Sequence, residues 1–224
     1  MEATAGPHAP PAVGAPSRTA YAVPLTRAHL LGTGVVSVLG FALVYLVNVG
    51  AKAGQRQDDM VFARFQQLPL GEHAGLIRDG VPILLGAVAL VLGVRSVRRR
   101  AVRPVLAQVV VVALAALGSE LLKSALPRPF HGAFAYIENT FPSSHMATTT
   151  ALACAVVALW GSVRWRREAA FVVVLLTLVA AVYNVTGFAH RPSDVVGGIL
   201  VATALEGFAL AAFGLGASTR GAGV

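Results

Sequence analysis

The sequence predicts an all-α, polytopic membrane protein: a bundle of six transmembrane helices. Three observations lead there. Hydrophobic residues fill 56% of the 224 positions and charged residues only 12%, against about a quarter charged in soluble domains. The apolar residues gather into runs close to the roughly 20 residues that span a hydrocarbon core. The basic residues collect in alternate connections, as the positive-inside rule requires of a multi-pass protein. A soluble helical bundle of this size could not enclose so much hydrocarbon.

Taken in order, residues 1–28 form a cytoplasmic tail, rich in Ala and Pro and without apolar period, that predicts disorder. Span one covers 29–51; it is too long for a signal-peptide core and reads as a retained anchor, although Val49-Gly50-Ala51 weakly resembles a cleavage site. The next connection carries Arg56, Asp58 and Asp59, which read as a solvated patch. Span two, 80–97, is followed by a loop, 95–103, with five Arg. Span three, 104–123, ends on Lys123, and span four, 144–160, ends on Trp160. A loop with three Arg, 161–168, leads to span five, 169–188, and span six runs 194–214. The membrane domain is thus 29–216, with a cytoplasmic tail at 217–224, and no repeat of 20 to 50 residues is present.

Eleven of the 18 basic residues fall on the side of the two termini, which places both termini in the cytoplasm of a cell-membrane protein. Trp160 and Trp165 then sit at the inner interface. The net charge of +8 is therefore a topology signal. Its Arg clusters are short loops between spans, not a basic groove with stacking aromatics, which argues against a nucleic-acid partner. Cys154 falls within a span and has no second cysteine to pair with, so packing is its expected role.

Three short stretches, all at the outer ends of spans, carry chemistry: 123–129 (KSALPRP), 142–145 (PSSH) and 190–194 (HRPSD). Lys123 and Arg128 can neutralise an anion, with Arg128 offering a planar fork. Ser143 and the amides around Ser144 stand where span four begins, and a helix N-terminus favours bound anions. One of His145 and His190 can attack phosphorus while the other acts as acid, and Asp194 can hold the far nitrogen of His190. Each has a plainer reading: a snorkelling Lys, a Ser–Pro helix start, an interfacial His–Asp pair. Their placement on one face favours the chemical one. Glu120, three residues before Lys123, can pair with it, and Glu206 can bond to a neighbouring helix; neither is assigned to the site.

With these residues in view, the chain resembles the type-2 phosphatidic acid phosphatase family, whose site is shared with the vanadium haloperoxidases. That family's pattern is a Lys followed by Arg-Pro, then Pro-Ser-Gly-His, then Ser-Arg, five residues, His, three residues and Asp. The matches are Lys123 with Arg128-Pro129, then Pro142-Ser143-Ser144-His145, then His190 with Asp194, and Pro192-Ser193-Asp194 matches the ending common in bacterial members. The resemblance implies an outward-facing six-span lipid phosphatase in which His190 forms a phosphohistidine, Asp194 orients it and His145 protonates the leaving group. Lys123, Arg128, Ser143 and the Ser144 amide would grip the phosphate, and no metal or cofactor is implied. The partners implied are membrane lipids and a lipid phosphate or pyrophosphate, prenyl or glycerolipid.

The chain departs from the pattern at three places. Four residues separate Lys123 from Arg128 where many members have six, so Phe130-His131 stands at their Arg-Pro. Ser144 replaces Gly, and Tyr183-Asn184 replaces Ser-Arg. Arg191 or His131 could supply the charge that Asn184 does not; Arg191 is included in the substrate-binding set. Other readings of the same residues are a phosphotransferase, a zinc hydrolase built on His131, Glu138, His145, His190 and Asp194, a Ser143–His190–Asp194 hydrolase, and a non-catalytic lipid-phosphate binding or transport protein.

Overall fold

A computed structural model describes residues 23–131, 138–162 and 164–217. Most of the N-terminal tail and all but the first residue of the C-terminal tail lie outside them. A short strand, β1 (Val23–Thr26), leads into α1 (Arg27–Val44), whose N-cap Thr26 accepts from the His29 amide. The chain continues through a π-helical turn (Tyr45–Gly50), α2 (Lys52–Gln66) and a 3₁₀ turn (Gly71–His73). The remaining helices are α3 (Ala74–Arg98), α4 (Val102–Ala125), α5 (Ser144–Leu159), α6 (Arg166–Thr186) and α7 (Pro192–Ala212), before the two residues of β2 (Gly216–Ala217).

Among the described residues, five helical stretches are long and apolar enough to cross a membrane: Arg27–Gly50, Gly71–Arg98, Val102–Ala125, Arg166–Thr186 and Pro192–Ala212. The sixth, α5, has only 16 residues. At about 1.5 Å per residue it spans less than the roughly 30 Å of hydrocarbon. It is apolar all round and sits inside the bundle, packed on α3, α4, α6 and α7, so it meets protein on most sides. Its buried Ala147 and Ala151 pack with Val111 and Ala115 of α4 and Ala202 of α7. Small residues let membrane helices approach closely. The same holds for α1 and α7, where a Cβ on Gly207 would meet the Leu30 carbonyl oxygen at 2.6 Å.

β1 and β2 pair in parallel, Val23 with Gly216 and Thr26 with Ala217, which sets the two ends of the helical unit side by side. The second span differs from its expected bounds: α3 starts at Ala74. The connection before it is not a loop but α2, an amphipathic helix that buries Gln55, Asp58 and Phe62.

Candidate active site

The three motif stretches meet at one end of the bundle because the last turn of α4, the first turn of α5 and the α6–α7 turn lie together. The Ser143 amide donates to the Asp194 carbonyl at 2.9 Å, joining the start of α5 to the start of α7. The approach is that close because residue 198 has no side chain. A Cβ there would lie 2.4 Å from the Ser143 carbonyl oxygen and 3.0 Å from the Ala147 nitrogen.

Asp194 is fully buried and is the hub. Its Oδ1 accepts from Arg128 Nη1 at 2.9 Å; its Oδ2 accepts from Thr140 Oγ1 at 2.5 Å and from the Arg191 amide at 3.0 Å. His190 Nδ1 stands 3.9 Å from Asp194 Oδ2, longer than a hydrogen bond. That nitrogen is buried without a partner among the described residues. The backbone sets the ring's place: Phe188 takes a left-handed φ of 56°, and the amides of Ala189 and His190 both donate to the Asn184 carbonyl, at 3.2 and 3.1 Å.

Lys123 and Ser144 are brought together through a residue left out of the predicted site. Glu120 Oε1 accepts from Lys123 Nζ at 3.0 Å and from Ser144 Oγ at 2.5 Å. Glu120 is therefore at the site rather than beside it. Its i,i+3 spacing to Lys123 signalled the pair, but nothing in sequence linked it to Ser144. Ser143 is buried and caps α5, its Oγ accepting from the Met146 amide at 3.2 Å.

His145 hangs from α3. Its Nε2 lies 2.7 Å from the Arg78 carbonyl oxygen and 3.9 Å from Asp79 Oδ1. The reason is four residues along: Pro82 lies inside α3 and has no N–H, so the Arg78 carbonyl lacks its helical donor. A carbonyl oxygen only accepts, so Nε2 carries the hydrogen in this contact.

Asp58 overturns the reading of a solvated patch. It is 4% exposed, takes the Ser193 amide and hydroxyl at 2.9 and 2.6 Å, and lies 3.6 Å from Arg128 Nη2. Burial pushes its carboxyl above the ordinary range, against the lowering effect of the Ser193 hydrogen bonds. The neighbouring Asp59 is raised by burial to about 6, though Arg191 pulls it down. Arg128 is thus held between two carboxylates, and its Nε is buried with no partner among the described residues. Its loop is clamped on both sides of Arg128: Tyr45 Oη donates to the Pro127 carbonyl at 2.7 Å, and Gln55 Nε2 to the Pro129 carbonyl at 2.7 Å. The signal available in sequence was the i, i+3, i+7 spacing of Gln55, Asp58 and Phe62.

The remaining expected residues fall as follows. Arg191 is 2% exposed, set at the start of α7 with its amide on Asp194. Asn184 is buried, its Nδ2 donating to the Ala180 carbonyl at 2.8 Å and its Oδ1 without a partner among the described residues. His131 bonds the Gly50 carbonyl at 3.1 Å and so supports the loop, while Phe130 is exposed. Among the described residues no three His, Cys, Asp or Glu side chains are grouped to hold a metal ion, so the five-residue zinc arrangement is not assembled.

Comparison with known proteins bears on the fold and the family. A crystal structure described as the first transmembrane PAP2 type phosphatidylglycerolphosphate phosphatase, from Bacillus subtilis, is similar at a TM-score of 0.66 and 17% identity, covering 79% of this chain and 94% of that one. No curated protein matches the chain. The fold is therefore that of a multi-pass membrane protein of this type. The family model of the PAP2 superfamily matches residues 104–215, half of the chain and the part that carries all three motifs, and on that ground the protein belongs to the PAP2 superfamily.

Proposed function

We propose that this protein is a metal-independent phosphatase that hydrolyses a lipid phosphate or pyrophosphate, prenyl or glycerolipid, at the outer face of the cell membrane. The observation that carries the reading is the convergence of three separate stretches on Asp194, with His190 beside it and the Arg128 guanidinium bonded to it. His190 Nδ1 is turned inward to Asp194, which leaves Nε2 to attack phosphorus. The P–O bond to the lipid breaks as the N–P bond of a phosphohistidine forms, and the leaving oxygen takes a proton from His145. Water then attacks phosphorus, giving its proton to His145 as the N–P bond breaks. Because His145 Nε2 is spent on the Arg78 carbonyl, Nδ1 is the nitrogen that moves this proton. A 3.9 Å gap at rest is compatible with catalysis, since such contacts tighten when substrate binds.

Charge on the non-bridging oxygens is met by Lys123, Arg128 and Arg191, with Ser143, Ser144 and the α5 N-terminus as further donors. Arg128 still has an unspent N–H at Nε. The outward orientation rests on the eleven basic residues gathered on the opposite side. The test is phosphate release from a panel of lipid phosphates by the purified protein. Vanadate should inhibit and EDTA should not. His190→Ala and His145→Ala should each lower turnover by about 100-fold or more, while Lys52→Ala should leave it unchanged. Full activity in the His190 variant would refute the mechanism.

A further inference from the structure

The matched family region begins at residue 104, yet the cation nearest Asp194 is held from outside it. Arg128 is 4% exposed at its side chain and meets two carboxylates, Asp194 Oδ1 at Nη1 (2.9 Å) and Asp58 Oδ2 at Nη2 (3.6 Å), with Ser193 Oγ also 3.5 Å from Nη2. Asp58 is fixed in turn, because the Ser193 amide and hydroxyl both donate to it. A turn earlier on the same face of α2, Gln55 grips the carbonyl of Pro129, directly after Arg128. Taking a carboxylate out of water is expensive unless it is paired and hydrogen-bonded. Here both conditions are met by residues of the motifs themselves.

We propose that Asp58 is a positioning residue of this site: together with Asp194 it holds both terminal nitrogens of Arg128 and leaves Nε–H as the donor for the substrate's phosphate. This rests on the phosphatase reading above. Asp58 acts through Arg128 and does not touch the phosphate, so its effect must disappear when Arg128 is gone.

A double-mutant cycle on the full-length protein in detergent tests it, read by vanadate inhibition and by KM against kcat. Asp58→Asn keeps the volume and an acceptor for Ser193 but removes the charge. It should weaken vanadate and raise KM by about tenfold, the scale of one charge-assisted contact, with a smaller change in kcat. In an Arg128→Ala background the same change should have no further effect. Ser193→Ala, which removes only the hydroxyl between the two charges, is a second variant should Asp58→Asn fail to fold; it should weaken vanadate about threefold, again only when Arg128 is present. Vanadate potency equal to wild type in both variants, or losses that add fully to that of Arg128→Ala, would overturn the proposal. A wild-type protein that neither releases phosphate nor responds to vanadate would instead overturn the phosphatase reading itself.

Discussion

Asp59 shows how a single half-buried carboxyl makes stability depend on pH. Burial raises it from 3.8 to about 6, so the folded state holds the proton more tightly than the unfolded chain does. The cost of ionising it is absent below 3.8 and fully present above about 6. Asp59→Asn removes that cost. The variant should therefore melt higher than wild type near about pH 8, with the gain shrinking to nothing as pH falls to about 4. Thermal unfolding in detergent at the two pH values checks this; a gain that grows toward acid would contradict it. At this scale much of the candidate site was legible. Lys123, His145, His190 and Asp194 stood out because their three stretches fall on one face, and a histidine near lipid depth is costly without a task. Asp58 did not, because its partner Ser193 lies 135 positions away and an Asp-Asp pair in a connecting segment looks solvated from sequence alone.

Elements were legible where hydropathy decides and illegible where packing does. The apolar spans follow from composition. Helix α2 does not, since it is polar on balance and its buried face is completed by distant parts of the chain: Asp58 by α7, Gln55 by the Arg128 loop and Phe62 by Phe188 after α6. The role of α3 was hidden for a different reason. Pro82 lies within the helix, and its missing N–H frees the Arg78 carbonyl for His145, 67 positions away. Stability and activity should therefore part company in Pro82→Ala. Restoring the N–H regains part of the roughly 3 kcal/mol that an interior proline costs a helix, and it offers Arg78 its helical donor again. The variant should melt higher yet lose about tenfold in kcat, with KM retained, because the residue proposed to protonate the leaving group loses its tether. Wild-type kcat in a stabilised variant would show that His145 needs no such support. Two independent measurements, a melting curve and a rate, separate the outcomes.

Across the whole molecule, the bundle brings distant stretches of chain to one end and buries the shortest of its apolar helices, α5, at its centre. Helix α5 starts at the Ser143 cap, and its first turn carries Ser144 and His145; the close approach at Gly198 fixes that turn against α7. Charge alone carries the proposed side of the membrane for the site, since eleven basic residues fall on the side of the two termini in the six-span reading. The contact of Arg128 with Asp194 was not legible in sequence, because the chain places Arg128 two positions earlier than many relatives do, and only the folded loop, gripped by Tyr45 and Gln55, shows where it arrives. The account as a whole turns on His190 taking the phosphoryl group. The most direct test is to trap that intermediate: mix the purified protein with a lipid substrate carrying radiolabelled phosphate, quench in alkali, where phosphohistidine survives, and map the label. The account predicts label on His190, absent from His190→Ala and accumulating in wild type. Label on a serine, or steady phosphate release with no labelled protein, would contradict it.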